Sequence, residues 1–447
     1  MKSPARQRRV LIVSSSFTPA MPASVHRARH LGWCLQAAGW EVEVLTPSVE
    51  FQRPDWLDEQ SANFFPTHIP CHEVPPPARS YLEKFGAKSM AWRALLPMYR
   101  RGSELLATGR FDLVYITTTV FNFFCLGRRW RQQFGVPYVL DFHDPWYRPN
   151  QKITSTNHRF KARLGNQLSR YMESYAIRRA NGLVAVSPDY LDELNRRYPA
   201  AQVFHDGHCA AIPFGVLPLD FELVRESPAL GGGDDKFCEI AYVGVGAEIM
   251  AKSFRRIADG MARLRQREPE LVSRLRFRFS GTDGRWSEGQ PKILLEQAEA
   301  AGIGDLVEEN PRIIAYREAT RRAVAADGLL VLGVDDPAYM PSKLFLYALT
   351  GKPLLACMHA RSQVNDYFQR LPELGTLIHF DGPAENEATE DALLLNFLRQ
   401  AAERKTFARE NIRAEFSAAA MARQHAELFD KIVASNESRT ASGTRTP

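Results

Sequence analysis

Apolar and polar positions along the chain alternate in short β-rich runs and longer helical ones. Arg9-Val10-Leu11-Ile12-Val13 is bounded by Ser14-Ser15-Ser16 and Pro19, a helical stretch runs from Val25 to Ala38 and stops at Gly39, and Glu41-Val42-Glu43-Val44-Leu45 is closed by Thr46-Pro47. Strand, helix and strand in succession form a βαβ unit, which implies a parallel sheet. The rhythm continues with a strand at Leu113 to Ile116, a helix from Phe121 to Gln133 and a turn at Gly135-Val136-Pro137 into Tyr138-Val139-Leu140. A long helical region from Phe160 to Arg179 leads into Gly182 to Ser187. Strands this uniformly apolar suit a sheet covered on both faces.

Between Glu226 and Lys236, Pro228, the triplet Gly231-Gly232-Gly233 and Asp234-Asp235 remove helix and strand propensity together. The alternation then restarts, with strands expected at Glu239 to Val243, Leu275 to Phe279, Arg312 to Ala315, Gly328 to Leu332 and Pro353 to Cys357. The pattern predicts an α/β protein of two doubly wound, Rossmann-like domains. Residues 1–225 form the first, 226–236 a linker and 237–415 the second. A helix over 416–435 is expected to pack back toward the first domain, ahead of a disordered tail over 436–447. Ligands of such open sheets bind beyond the strands' carboxyl ends, so a cleft between two facing domains is the expected site.

Composition narrows the classes. The chain has 447 residues, with 57 Lys and Arg against 51 Asp and Glu, a net charge of +6. That excess is too small for a protein that wraps nucleic acid, and no nucleic-acid partner is expected. The six cysteines are scattered, without a C-x-x-C pair, as in a reducing compartment. The apolar run behind the basic N-terminus stops at Ser14, too soon for a signal peptide, and no stretch is long enough to span a bilayer. A soluble, cytoplasmic protein is expected.

Several reactive signatures are missing. There is no G-x-x-x-x-G-K-[ST], no H-E-x-x-H and no G-x-S-x-G, which argues against P-loop kinases, zinc proteases and standard hydrolases. No D-x-D pair occurs to clamp a metal on a diphosphate, and the pairs His68 with His72 and His205 with His208 read as loop histidines rather than metal ligands.

Three segments carry candidate chemistry. Tyr242-Val243-Gly244-Val245-Gly246 follows a strand and precedes a helix, but Ile249 stands where a dinucleotide fingerprint has its third glycine. Gly244 and Gly246 could still bring backbone N–H groups to a phosphate. Lys252, Arg255 and Arg256 follow on the opening turns of that helix, where a cation opposes the macrodipole unless an anion lies between. In the first half, Asp141-Phe142-His143-Asp144-Pro145-Trp146 lies just beyond a strand, where His143 beside carboxylates could hold a hydroxyl or steer a proton. The loop from Ser14 to Ser24, including Ser16, points to the same cleft, with Arg27 on its helix. Finally, Pro341-Ser342-Lys343 reads as a helix start and Gly351 as its stop, so Lys343 with the free helix N–H groups makes a second anion position.

In these segments the chain resembles the family 4 glycosyltransferases of the GT-B fold. The matching stretches occur in family order: Leu11 to Pro19 with Arg27, Gly39-Trp40-Glu41-Val42, the His143-Asp144 loop, Ala180 to Ser187, Ile212-Pro213-Phe214-Gly215-Val216, Tyr242-Val243-Gly244, and Pro341 to Pro353. The resemblance implies two Rossmann-like domains with parallel sheets facing a central cleft. It also implies transfer of a sugar from a nucleotide-diphosphate donor to an acceptor hydroxyl, usually with retention and with no cofactor or metal; cell-surface polysaccharide or glycolipid synthesis is a candidate pathway. By position, Lys252 matches a family lysine that contacts the donor phosphates, His143 a histidine near the transferred sugar, and Ser342 and Lys343 the helix start beside the nucleotide. The remaining candidates are Asp144 for catalysis, Gly244, Gly246, Arg256 and Tyr347 for the donor, and Ser16, Ser24 and Arg27 for the acceptor.

The departures are specific. Leu346 replaces the glutamate that usually receives ribose hydroxyls, and Val245 replaces a phosphate-binding arginine. Such a ribose hydrogen bond is worth about 1.5–3 kcal/mol, unless Asp335 or Asp336 substitutes. Two other readings follow. One is a degenerate GT-B protein serving as a non-catalytic binding or scaffold subunit. The other, a nucleotide-dependent oxidoreductase, rests only on Gly244-x-Gly246.

Residues Arg79 to Arg110 interleave cations such as Lys84, Lys88, Arg93 and Arg100 with Tyr81, Phe85, Trp92 and Leu96. A stretch of this kind can lie on anionic lipid or pack its apolar face in the core. An anionic membrane surface is therefore a candidate partner, with location at the inner face of the membrane, and a glycan or lipid-linked molecule is a candidate acceptor.

Overall fold

The computed structural model describes residues 6–20, 24–52, 57–75, 77, 89–148, 159–225, 236–383 and 386–441. The expected linker (save Lys236), the end of the tail and Arg79 to Lys88 of the basic stretch lie outside these residues. The chain divides into two compact units. The first is Met1–Leu57, Phe65–Phe214 and Ala418–Pro447; the second is Asp58–Phe64 and Gly215–Ser417.

The first unit is built on a parallel sheet of β1 (Arg8–Val13), β2 (Trp40–Pro47), β3 (Cys71–Val74), β4 (Leu113–Thr117), β5 (Tyr138–Phe142), β6 (Gly182–Ala185) and β7 (Cys209–Ala211), ordered β3-β2-β1-β4-β5-β6-β7. Its helices include α1 (Val25–Cys34), α2 (Met90–Ala107), α3 (Phe124–Phe134), α4 (Arg159–Ile177) and α5 (Pro188–Arg197). Val10 to Val13 and Leu113 to Ile116 are wholly buried, as strands covered on both faces must be. The helix expected through Ala38 ends at Cys34 and gives way to a tight turn, Gln36–Ala38. The C-terminal helix, Ala418–Ala441, belongs to this unit and packs on α1. Phe429 meets Trp40 edge to face at 5.4 Å, and the Trp40 indole donates to Asp430. The helix continues past Asn436, where a disordered tail was expected, and Arg439 pairs with Asp206 at 2.8 Å.

In the second unit β8 (Cys238–Val243), β9 (Leu275–Ser280), β10 (Val307–Asn310), β11 (Gly328–Leu332), β12 (Leu354–Met358) and β13 (Thr376–His379) form a parallel sheet ordered β10-β9-β8-β11-β12-β13. Around it lie α6 (Pro218–Arg225), α7 (Ala247–Arg267), α8 (Ile293–Ala300), α9 (Tyr316–Ala325), α10 (Leu344–Leu349) and α11 (Glu387–Ala402). Ile240, Phe254, Phe277, Leu330 and Phe397 are central to its core.

Three expectations are corrected here. Arg312–Ala315 is not a strand; the pairing segment is Val307–Asn310. Pro311 has no N–H to give a ladder. Glu309, polar by type, is buried because its carboxylate accepts the amides of Leu294 and Leu295 at 2.9 and 3.0 Å and the Thr282 hydroxyl. The unit boundary falls at Phe214/Gly215, ahead of α6, because α6 packs on α9 and Tyr316 donates to Asp220 at 2.7 Å. The helix expected from Ser342 begins only at Leu344 and is six residues long.

Both sheets wind the same way. Strand order reverses between β1 and β4 in one unit and between β8 and β11 in the other, and crevices open beyond the carboxyl ends at such points. Among the described residues no helix is long and apolar enough to cross a membrane.

Candidate active-site residues

At the switch point of the first unit, β4 and β5 lie in register with Thr117 beside Asp141. Side chains two apart on a strand share a face, so Tyr115 and Thr117 on β4 join Asp141 on β5, with His143 just beyond its end. The His143 Nε2 lies 2.7 Å from Asp141 Oδ2 and 3.0 Å from Thr117 Oγ1, and the Thr117 hydroxyl donates to the same carboxylate at 2.8 Å. A carboxylate can only accept, so Nε2 carries a proton. The opposite ring nitrogen, Nδ1, is buried and meets no hydrogen-bond partner. Phe214 packs edge-on against the imidazole at 5.1 Å.

Arg27 completes this cluster from beneath. Its fully buried guanidinium lies 3.2 Å from Asp141 and donates to the carbonyls of Ile212 and Pro213 at 2.7 and 3.0 Å. Burial alone would raise the Asp141 carboxyl, but the Arg27 charge and the His143 ring hold it well below the usual carboxylate range. On the C-terminal helix, His425 Nδ1 faces the Met421 carbonyl at 2.8 Å, and its Nε2 faces the Tyr115 hydroxyl at 3.0 Å. Burial, reinforced by Arg27, pushes His425 down to about 3, so the ring is neutral and Nε2 accepts from Tyr115.

The first-unit assignments change accordingly. The carboxylate paired with His143 is Asp141, not Asp144, which is exposed and outside the cluster. Arg27, Ser16 and Ser24 are all buried, so none presents an exposed side chain to an acceptor. Arg27 is a positioning residue, and the Ser16 carbonyl is taken by the Ser14 hydroxyl. The signal for Asp141 was in the sequence: it stands two residues before His143, the spacing that puts both on one side of a strand end.

In the second unit, β8 ends in Gly244 and Gly246, with φ of +129° and +140° that only glycine adopts without strain. The amides of Gly244, Gly246 and Ala247 do not await a phosphate. They donate to the carbonyls of Ser280 and Thr282 at 2.8, 2.9 and 3.1 Å. The turn thus fixes β8 to the loop after β9, and this removes the feature on which a dinucleotide reading rested. A Cβ on Gly244 would stand 1.9 Å from the Lys343 Nζ, so the glycine makes room for that side chain. Lys343 lies 5.2 Å over the Tyr242 ring and meets no carboxylate among the described residues. Burial lowers its ammonium to about 8. Lys343, Ser342, Tyr339 and Tyr242 line a small pocket of about 10 Å³. With α10 so short, helix N–H groups add nothing there; the side chains carry the case.

Other donor assignments are corrected. Arg256 is engaged by Glu390 at 2.7 Å and Glu387 at 3.3 Å, which fastens α7 to α11. The Tyr347 hydroxyl is buried and bridges the Val243 N–H and carbonyl at 2.9 and 3.0 Å. The β8–β11 ladder stops at Ala241, so Tyr347 satisfies backbone groups the sheet leaves open. Lys252 is exposed and pairs with Asp335, just past β11. Leu346 offers no ribose acceptor, and Val245 and Ile249 are exposed at the start of α7. His72 pairs with Glu43 at 2.8 Å, and among the described residues no three His, Cys, Asp or Glu side chains gather as a metal site.

Residues 24–205 match the model of the glycosyl transferase 4-like domain. Solved structures match nearly the whole chain. HepE from Anabaena, in complex with UDP-glucose, superposes with a TM-score of 0.57 at 15% identity, covering 94% of this chain and 99% of that one. WaaG, a glycosyltransferase involved in lipopolysaccharide biosynthesis, gives 0.51 at 15% identity over 96% and 98%. The N-terminal domain of Candida albicans trehalose-6-phosphate phosphatase gives 0.59 at 12% identity over 96% and 99%. A search of curated protein sequences finds no significant match. The fold is therefore of the GT-B type, two parallel-sheet α/β units. The stretch that is similar to glycosyl transferase 4-like domains lies mostly in the first unit.

Proposed function

We propose that the protein transfers a hexosyl group from a nucleoside-diphosphate sugar to an acceptor hydroxyl. The observation that carries this is Lys343: a solvent-poor ammonium without a carboxylate partner among the described residues, beside the switch point of the second sheet. A diphosphate supplies the missing anion. As the bond from the anomeric carbon to the phosphate oxygen breaks, the electron pair leaves with the nucleoside diphosphate, where ammonium charge stabilises it; the acceptor oxygen bonds the anomeric carbon and gives its proton to the departing phosphate oxygen. Lys252 joins in when the diphosphate displaces Asp335, an exchange made easy because that surface pair is worth under about 1 kcal/mol. In the first unit, the unpartnered His143 Nδ1 accepts a hydrogen bond from a sugar hydroxyl, with Asp141 fixing the tautomer.

Retention of configuration and independence of a divalent ion are supported by the family likeness and by the absence of a D-x-D pair. Synthesis of a cell-surface glycan is supported by the likeness to WaaG. The test is incubation with a panel of nucleoside-diphosphate sugars in the presence of a chelator, followed by NMR of the anomeric proton. Donor turnover with a retained anomer, lost in Lys343→Met, is expected. Nucleotide binding without turnover of any donor or acceptor would favour a non-catalytic subunit instead.

A further inference from the structure

The buried network behind His143 does not end at Asp141. Asp141 Oδ2 takes the His143 Nε2 proton and the Thr117 hydroxyl, but the second oxygen, Oδ1, is buried and meets no hydrogen-bond partner. An unpaired carboxylate oxygen in a protein interior is unfavourable, and one hydroxyl stands close enough to satisfy it. Tyr115 lies on β4 two residues before Thr117 and so shares its face of the sheet. Burial pushes the Tyr115 phenol well above its ordinary value, and the neighbouring Asp141 charge adds to the effect.

That hydroxyl has one hydrogen, and the C-terminal helix takes it. His425 Nδ1 lies 2.8 Å from the Met421 carbonyl, one turn earlier on the same helix, and a carbonyl can only accept. Nδ1 therefore carries the proton of the neutral ring, and Nε2, 3.0 Å from the Tyr115 hydroxyl, is left as an acceptor. Neither ring touches solvent, and Phe429 packs against Tyr115 at 5.3 Å and against His425 at 5.9 Å. A phenol O–H turns about its C–O bond, so the hydrogen can go to His425 or to Asp141 but not to both.

We propose that His425 is a positioning residue for His143. By taking the Tyr115 hydrogen it leaves Asp141 Oδ1 bare, so the carboxylate keeps its full pull on the His143 Nε2 proton. A hydrogen bond received by a carboxylate weakens its hold on any other proton. With the Tyr115 hydroxyl turned onto Asp141, the His143–Asp141 bond would slacken and Nδ1 would accept less strongly from a sugar hydroxyl. The orphaned oxygen is thus explained by function, as such groups in native interiors often are. The role given to Nδ1 rests on the proposed reaction, whereas the arrangement of hydrogen bonds does not.

NMR of the full chain carrying isotope-labelled histidine tests this, with His143→Gln assigning the His143 Nε2 proton. A proton held by a carboxylate resonates far downfield and moves upfield as the bond weakens. His425→Phe keeps the ring packing but removes the acceptor, so the Tyr115 hydrogen turns to Asp141 and the resonance is expected to move upfield. Donor turnover is expected to show a kcat lower by about three- to tenfold, the worth of one hydrogen bond, with KM for the donor unchanged. Removing the hydroxyl as well, in His425→Phe with Tyr115→Phe, is expected to return the resonance and most of the rate. His425→Gln, whose side-chain carbonyl can accept from Tyr115, is expected to recover most of both. A side chain that served packing alone would lower stability in His425→Phe, leave the resonance in place and gain nothing from loss of the hydroxyl; that result overturns the proposal. If His425→Phe does not fold, Tyr115→Phe alone decides, since it deletes a single oxygen atom. An unmoved resonance there upholds the assignment, and a downfield move, meaning that Asp141 has lost a donor, overturns it. If the wild type turns over no donor, the proposed reaction fails while the resonances still decide the role of His425.

Discussion

Replacing Arg27 by methionine keeps the length of the side chain and removes its charge from a site where neither Arg27 nor Asp141 touches solvent. The Asp141 carboxylate is then left with the Thr117 hydroxyl and His143 Nε2, and the carbonyls of Ile212 and Pro213 lose their donor. Breaking one side of a buried pair costs about 3–5 kcal/mol. The pH dependence has a definite sign. In the wild type the Asp141 pKa is depressed, so its ionisation stabilises the fold above the unfolded carboxyl value of about 3.9 and that contribution is lost as pH falls through the lower folded value. Without Arg27 the opposing effect of burial gains weight, and ionisation of Asp141 contributes less or turns unfavourable. The difference between wild type and variant therefore widens as pH rises from acid to neutral. Urea unfolding followed by tryptophan fluorescence reads this out, since Trp40 and Trp130 are buried in the first unit. Adding Asp141→Asn to the Arg27→Met chain is expected to recover part of the loss, because the stranded charge goes with it. A cost below about 1 kcal/mol at neutral pH, or one that does not vary with pH, would refute the reasoning.

Other consequences are equally direct. Tyr347→Phe leaves the Val243 N–H and carbonyl without their partner and is expected to destabilise the second unit by about 1–3 kcal/mol, measured by urea unfolding. Gly244→Ala forces a methyl group onto the Lys343 Nζ and adds backbone strain of about 1–3 kcal/mol; calorimetry is expected to show weaker nucleotide binding as well as a lower melting temperature. Lys343 is an ammonium only below about 8, so nucleotide affinity, followed by titration at increasing pH, is expected to fall as pH rises through that value.

The alternation of strands and helices was legible because buried parallel strands are apolar almost throughout. Val10 to Val13, Leu113 to Ile116 and Leu329 to Leu332 announce themselves. Edge strands did not. β3 and β7 are short and partly exposed, and β10 reads Val-Glu-Glu-Asn, its inward Glu309 being buried only because α8 offers its amides. The apolar pair Ile313-Ile314 drew the assignment a few residues too far along. Likewise Gly231 to Gly233 marked a loss of local propensity, while the unit boundary follows packing of α6 on α9 that no local signal encodes.

Residue types singled out loops at the strand ends but not the partners of their side chains. His143 lies just beyond β5, and Lys343 just ahead of α10. What spacing alone hid was that Arg256 faces two glutamates on a helix over a hundred residues away in sequence, and that Tyr347 and Arg27 satisfy buried groups. The family departures at Val245 and Leu346 are visible as apolar side chains in the structure, Val245 exposed and Leu346 partly so.

The central claim is that Lys343 waits for a diphosphate. Isothermal titration of a panel of nucleoside diphosphates into the wild type and into Lys343→Met tests it most directly. The account predicts binding by at least one of them, weakened one to two decades in the variant, as expected for loss of a charged hydrogen bond worth about 1.5–3 kcal/mol. No binding at millimolar concentration, or the same affinity in both proteins, would contradict it.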